Sequence, residues 1–308
     1  MCYSAKLKSD FDKLRKHYHG KLEWDEFVEM VRQRQKGASI GVDLKIPDEL
    51  IAGLIAEGGS GAKEIELMQR RWKVDERKRL EDALTVASAE LAQAQEKYQS
   101  RATKTNLAAV ETKGRKVERA RQALETAKGP VGQYRIYPYY FAPILVAESG
   151  QRRIVPARYR ILPRTGVEVP NKYNVFNARR DSLQSARNWK ALFGHKHALF
   201  SFINFFEWVE RDGKSVEIMF NPDGYGGMHA AALYEVYQHP ELGAIRSFCM
   251  VTDEPPPEVR AAGHDRCPVF LQERIIDDWL NPKGHSLQEL DALLDNKETA
   301  FYSHALAA

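Results

Sequence analysis

Apolar and polar positions change their rhythm three times along this chain. Near the start, after a short stretch of strand, SDFDKLRKHYH places Phe11, Leu14 and Tyr18 on one helical face, with Ser9 or Asp10 as the cap. WDEFVEMVRQRQ predicts an amphipathic helix and IPDELIAGLIAE another, with Pro47 near its first turn and Gly58-Gly59-Ser60-Gly61 as a break. From Ala62 to Lys128 there is no proline, and Trp72, Leu80, Leu84, Ala87, Leu91, Ala94 and Tyr98 recur at helical spacing. Leu107, Val110, Val117 and Leu124 do the same beyond SRATKTN. The pattern predicts two long helices folded back as an antiparallel coiled-coil hairpin, turning near residues 100–106.

Past Gly129-Pro130 the period shortens. YRIYPYY, RRIVPARYRIL, HALFSFINFFEWV, SVEIMF and IRSFCMVT are β-branched and aromatic runs between turn residues, and they predict strands. DSLQSARNWKALF, HAAALYEVYQ and IIDDWLNP predict helices among them. The fold class expected is therefore α+β: a strand-dominated domain with peripheral helices, interrupted by a helical hairpin. The expected organisation is a leading segment at 1–20, a helical insertion at 21–130 with the hairpin at about 62–128, and the main part of the strand-rich domain at 131–308.

Composition narrows the class without deciding it. At 308 residues, one large domain or two ordinary ones can each bury a sufficient core. No apolar run is long enough to span a bilayer and no signal-peptide pattern opens the chain, so the cytoplasm (beside the nucleoid in a bacterium) is the expected location, with no membrane partner. Three cysteines, Cys2, Cys249 and Cys267, lack CxxC pairing, which argues against a disulfide framework or a structural zinc. His195-Lys196-His197 has no cysteine or carboxylate at ligand spacing, so neither metal nor other cofactor is expected. A net charge of +4 is compatible with an anionic partner but does not require one.

The chemistry is concentrated in four short stretches. Cys2 directly follows Met1, so removal of Met1 would leave one residue carrying both a free α-amine and a thiol. The others are Asn177-Ala178-Arg179, Phe205-Phe206-Glu207-Trp208 and His264-Asp265-Arg266-Cys267-Pro268-Val269. In order and spacing these resemble the SOS-response-associated peptidase (SRAP) family, which begins Met-Cys and carries Asn-Ala-Arg, Phe-Tyr-Glu-Trp and His-x-Arg-x-Pro-Val motifs. ARYRILP at 157–163 resembles the family's Arg-Trp-Gly-Leu-Ile-Pro, AALYE at 231–235 its Ala-Gly-Leu-Trp-Glu, and SFCMVT at 247–252 its Phe-x-Ile-Leu-Thr. The likeness covers about residues 1–8 and most of 134–282.

The resemblance implies capture of abasic sites in single-stranded DNA by the amino-terminal cysteine, giving a stable covalent DNA–protein crosslink. An amine and a thiol on one residue can close a thiazolidine on one aldehyde, and both have ordinary pKa values near enough to neutrality to act. By the resemblance, Cys2 is the nucleophile, Glu207 moves protons at the amine and imine, His264 acts at the sugar oxygen, and Asn177 orients Cys2 or the sugar. Arg179 is expected on a DNA phosphate. Tyr159, where the family has tryptophan, would offer a stacking face, and Ser4, where it has arginine, a hydrogen bond to DNA. Asn204 replaces a glycine, and Arg180 a small residue. A slow lyase step could accompany the crosslinking; a Cys2-dependent thiol peptidase or autoprocessing hydrolase, and a non-enzymatic DNA-binding scaffold, are the competing expectations. The basic hairpin is either a solvated face or an arm for DNA or for a repair or replication protein.

Overall fold

The computed structural model describes residues 4–8, 11–126, 133–170, 172–211, 213–224 and 228–307. In chain order the elements are β1 (Ser4–Lys8), α1 (Phe11–Tyr18), β2 (Lys21–Leu22), α2 (Trp24–Ser39), α3 (Asp48–Glu57), α4 (Ala62–Ser100), α5 (Lys104–Thr126), β3 (Gln133–Ile136) and β4 (Phe141–Glu148). There follow β5 (Gln151–Tyr159), β6 (Asn177–Arg179), β7 (His197–Phe202), β8 (Asn204–Arg211), β9 (Lys214–Pro222), β10 (Met228–His239) and β11 (Gly243–Asp253). The chain closes with α6 (Pro257–Ala261), β12 (Cys267–Pro268), α7 (Ile276–Leu280), α8 (Leu287–Leu293) and β13 (Tyr302–Leu306). The class is α+β, as the periodicity predicts. The chain divides into two compact units, the hairpin from Glu66 onward and the remainder.

In the larger unit, β10 pairs antiparallel with both β7 and β11, β7 with β4, and β4 with β5. A parallel pairing of β5 with β11, Ser247 opposite Arg158, closes these five strands into a barrel. Closure leaves no unpaired edge and gives the ring an interior that side chains must fill. Tyr159, Phe200 and Phe248 do so, with ring centroids 5.2 Å apart for Tyr159–Phe248 and 4.8 Å for Phe200–Phe248. A second sheet has the order β13-β9-β8-β1-β3. Its Phe205 stacks across strands on Phe220 at 5.0 Å and meets Phe270 and Tyr302, building an aromatic core.

In the smaller unit, α4 and α5 form the predicted hairpin, joined at 101–103. Thr103 caps α5 by accepting a hydrogen bond from the Asn106 amide at 3.2 Å. Ala87 and Val117 are buried on the inner face, and Glu90 accepts from Lys113 and Lys116 across the helices. Leu107, expected inside, is exposed beside the turn. No helix among the described residues is long and apolar enough to cross a membrane.

Several local expectations are corrected. HAAALYEVYQ is not a helix but most of β10: alanine favours helices, yet this segment has neighbours on both edges and buried side chains on both faces, so burial overrides propensity. DSLQSARNWKALF forms a three-residue 3-10 turn and then separate turns rather than a continuous helix. Its Leu183, Trp189, Leu192 and Phe193 are buried and mimic helical spacing. Asn204 starts β8 and is not among the non-glycine residues with positive φ; its Nδ2 donates to Asn221 Oδ1 at 2.6 Å. Ser9, Asp10, Gly129 and Pro130, expected to cap and to break helices, lie outside the described residues.

Candidate functional site

Strand pairing brings the motifs together. β1 lies between β8 and β3, with Ser4 in register opposite Phe206 and Ala5 opposite Phe205. The chain therefore enters its first strand one position from Glu207. Cys2 itself lies outside the described residues. β6 pairs in parallel with β11, Asn177 opposite Met250 and Arg179 opposite Thr252, while Pro268 of β12 lies opposite that same Thr252 on the other edge. The Asn-Ala-Arg and His-x-Arg-x-Pro motifs are thus two strands flanking the end of β11.

Glu207 and His264 form the centre of the site. His264 Nε2 is 3.2 Å from Glu207 Oε2, and both side chains are almost completely buried. The loop aims the imidazole because Gly263, at φ +98°, turns the chain in a conformation that a side chain resists. His264 Nδ1 lies 2.8 Å from the Arg266 carbonyl and 3.3 Å from the Arg266 backbone amide, so the backbone of Arg266 holds the ring in place. Nε2 is thereby turned toward Oε2, where a proton on either atom can bridge the two. Burial raises the Glu207 pKa above the ordinary carboxylate range, opposed by its bond to His264. Such a pair can accept and return a proton within one bond length.

The arrangement continues outward. Arg266, whose carbonyl orients His264, donates from Nη2 to Asp181 Oδ2 at 3.1 Å. The same oxygen accepts from Arg179 Nη2 at 2.6 Å. A continuous chain, Glu207–His264–Arg266–Asp181–Arg179, therefore runs from buried to half-exposed and links all three motifs. Arg180 ties this segment to α8 and to β11 through Asp291, Asp295 and Asp253. Asn177 is buried, and Tyr159 lies 3.4 Å from its Oδ1 through the phenol hydroxyl. Its backbone amide is held by the Asn174 side chain at 3.0 Å, which fixes the entry to β6.

Two residues expected at DNA, Tyr159 and Ser4, lie in the interior. Tyr159 has no exposed surface; its ring is enclosed by Phe176, Phe200 and Phe248, so it fills the barrel and offers no face to a base. Ser4 is likewise fully buried, and its Oγ accepts from Arg135 Nε at 2.6 Å. Arg135 pairs bidentately with Glu217 and lies 3.6 Å above the Phe206 ring. It thereby fastens β1 to β8 and β9 beside Glu207. Arg179 remains available at the surface, half exposed though paired with Asp181.

Periodicity and spacing did not point to Arg135, Asp181 or Arg266 as parts of the site. Arg266 and Asp181 lie inside or beside the motifs, so charge within a motif was the available signal; Arg135 had none. Both ring nitrogens of His197 are engaged: Nδ1 donates to the Trp279 carbonyl at 2.8 Å and Nε2 accepts from the Gly194 amide at 2.9 Å. Cys249 and Cys267 are buried strand residues whose thiols burial pushes far above the ordinary range.

The family model described as SOS response associated peptidase (SRAP) matches residues 79–307. Similar proteins include the abasic site processing protein YobE of Bacillus subtilis (strain 168), 25% identical over 162 residues, spanning 52% of this chain and 74% of YobE. The abasic site processing protein YoqW of Bacillus phage SPbeta is 24% identical over 162 residues, covering 52% of this chain and 72% of YoqW. Among solved structures, a Bacteroides thetaiotaomicron protein aligns with a TM-score of 0.46 at 16% identity, covering 57% of this chain and 78% of its own. A phage-related protein of Bordetella bronchiseptica aligns with a TM-score of 0.44 at 18% identity, covering 58% of this chain and 83% of its own.

Proposed function

This chain belongs to the SOS response associated peptidase family, and from that premise we propose that it processes abasic sites in DNA, capturing them in single strands as a thiazolidine on Cys2 once Met1 is removed. The observation that carries the reading is the pairing of β1 with β8, which sets Ser4 opposite Phe206, the neighbour in sequence of the buried Glu207 that meets His264. The relatives named abasic site processing proteins support the substrate class.

The chemistry balances with the groups present. The α-amine of Cys2 adds to the aldehyde of the ring-opened sugar, and loss of water from the carbinolamine gives an imine. The Cys2 sulfur then adds to the imine carbon, and the thiol proton passes to nitrogen, so aldehyde plus cysteine becomes thiazolidine plus water. Glu207 accepts a proton from the attacking amine and returns one to the departing hydroxyl; His264, sharing that proton, serves the sugar oxygen as the ring opens. Asn177 orients the reacting groups and Arg179 meets a flanking phosphate.

The test uses a single-stranded oligonucleotide with one abasic site, incubated with wild type, with Cys2→Ala and with protein retaining Met1. A denaturation-resistant adduct from processed wild type alone is the expected result, and its absence overturns the proposal. The family's description as a peptidase favours a second reading, a Cys2-dependent thiol hydrolase. Peptide cleavage lost in Cys2→Ala, without any DNA adduct, would establish that reading instead.

A further inference from the structure

The hairpin carries the protein's whole net positive charge. Residues 66–131 hold fifteen lysines and arginines against ten acids, whereas the rest of the chain holds 31 against 32. The unit that contains Glu207 and His264 is therefore close to neutral and supplies no net long-range attraction for a polyanion. A functional role for this imbalance needs a place where cations are concentrated and not cancelled.

Such a place lies on α5. Thr112, Arg115, Lys116 and Arg119 follow one another at helical spacing and, with Lys113, line a concavity of about 620 Å³. Its lining contains four cations and no acid. Glu90 alone faces Lys113 and Lys116, so one carboxylate answers two ammonium groups. Arg115 donates to the neutral Thr112 hydroxyl, and among the described residues no carboxylate pairs with Arg115 or Arg119. Both guanidinium side chains belong to exposed residues.

We infer that this face of α5 is a second nucleic-acid contact, binding the sugar–phosphate backbone of DNA without regard to sequence. It presents no aromatic or large aliphatic side chain, the anchors on which a protein partner depends. A row of forked guanidinium donors with a hydroxyl suits phosphate oxygens instead. The inference rests on the reading that DNA is the substrate, but its role is capture and retention of the strand, separate from the covalent step.

The experiment measures full-length protein binding to an intact, lesion-free single-stranded oligonucleotide across a salt series, comparing wild type with the double variant Arg115→Gln/Arg119→Gln. Glutamine keeps helix propensity, and circular dichroism checks that α4 and α5 persist. Loss of two phosphate contacts is expected to make the slope of log affinity against log salt shallower by about 1.4. Arg115→Lys/Arg119→Lys should retain most of that slope. Adduct yield with an abasic oligonucleotide at saturating concentration should match wild type. An unchanged slope in the glutamine variant overturns the inference, as does polyglutamate binding wild type as tightly as DNA of equal charge, which would point to an acidic protein. A slope change in protein that forms no adduct leaves this inference standing while removing the proposed crosslinking.

Discussion

His264 Nε2 lies 3.2 Å from Glu207 Oε2 while the other ring nitrogen is held by the backbone of Arg266, so a proton on either group can bridge the two side chains. Glu207→Gln keeps the volume and the burial but cannot take that proton. Adduct formation is expected to slow by about 10²–10⁴-fold, read as the rate of denaturation-resistant product. Because burial raises the Glu207 pKa, the acidic limb of the wild-type pH–rate profile should lie above the ordinary carboxylate range. An unaltered limb in Glu207→Gln would show that another group controls it.

Tyr159 provides a contrast between packing and recognition. If its ring only fills the barrel, Tyr159→Phe should leave DNA affinity within twofold of wild type, while Tyr159→Ala should lower unfolding free energy by about 3–5 kcal/mol. Chemical denaturation and anisotropy titration check the two halves. A large loss of DNA affinity in a stable Tyr159→Phe protein would return the residue to the DNA-binding set.

Arg160 occupies the glycine position of the family's Arg-Trp-Gly-Leu-Ile-Pro stretch and has φ +101°, far into the region side chains avoid. Its Nη2 donates to the Val169 carbonyl at 2.7 Å, and its guanidinium lies 5.1 Å from the Tyr139 ring centroid. Arg160→Gly and Arg160→Ala lose the same contacts and differ in backbone freedom. The glycine variant should be the more stable by about 1–2 kcal/mol in denaturant unfolding, the reverse of the usual order. Equal stabilities would mean the backbone relaxes.

Acid should find His197 early. Buried between Phe193 and Trp279 with both nitrogens engaged, it has its pKa pushed down to about 3 from 6.5, by burial above all. The folded state then holds fewer protons than the unfolded one, so this contribution is fully present above pH 6.5 and is lost as the pH falls from there toward 3. Melting temperatures across roughly pH 7 to 4 should fall less steeply in His197→Gln than in wild type.

The motifs were legible because each is a contiguous string whose order survives a departure such as Ser4. Long periodic segments were legible too: α4 and α5 run unbroken over 39 and 23 residues where the spacing predicts helices. What escaped was information held between strands. β10 reads as helix until its two neighbours are known, and Tyr159 reads as a binding surface until the barrel closes around it. Arg135 gains its role only because β3 and β9 flank the β1–β8 pair from opposite sides. Pairing over long sequence distances creates these relations, and periodicity within one segment does not record them.

That sheet order also sets a schedule. β1 is made first, yet its partners are β3 and β8, and 131 positions separate Ser4 from the Arg135 that fastens it. A nascent chain can pair β1 with β3 once residue 136 has emerged, but its other edge has no ladder until β8 has left the ribosome, by which time at least roughly two-thirds of the polypeptide exists. β1 thus gains its neighbour β8, the strand that carries Glu207, only late in translation, so the arrangement on which the proposed capture depends is a property of nearly complete chains.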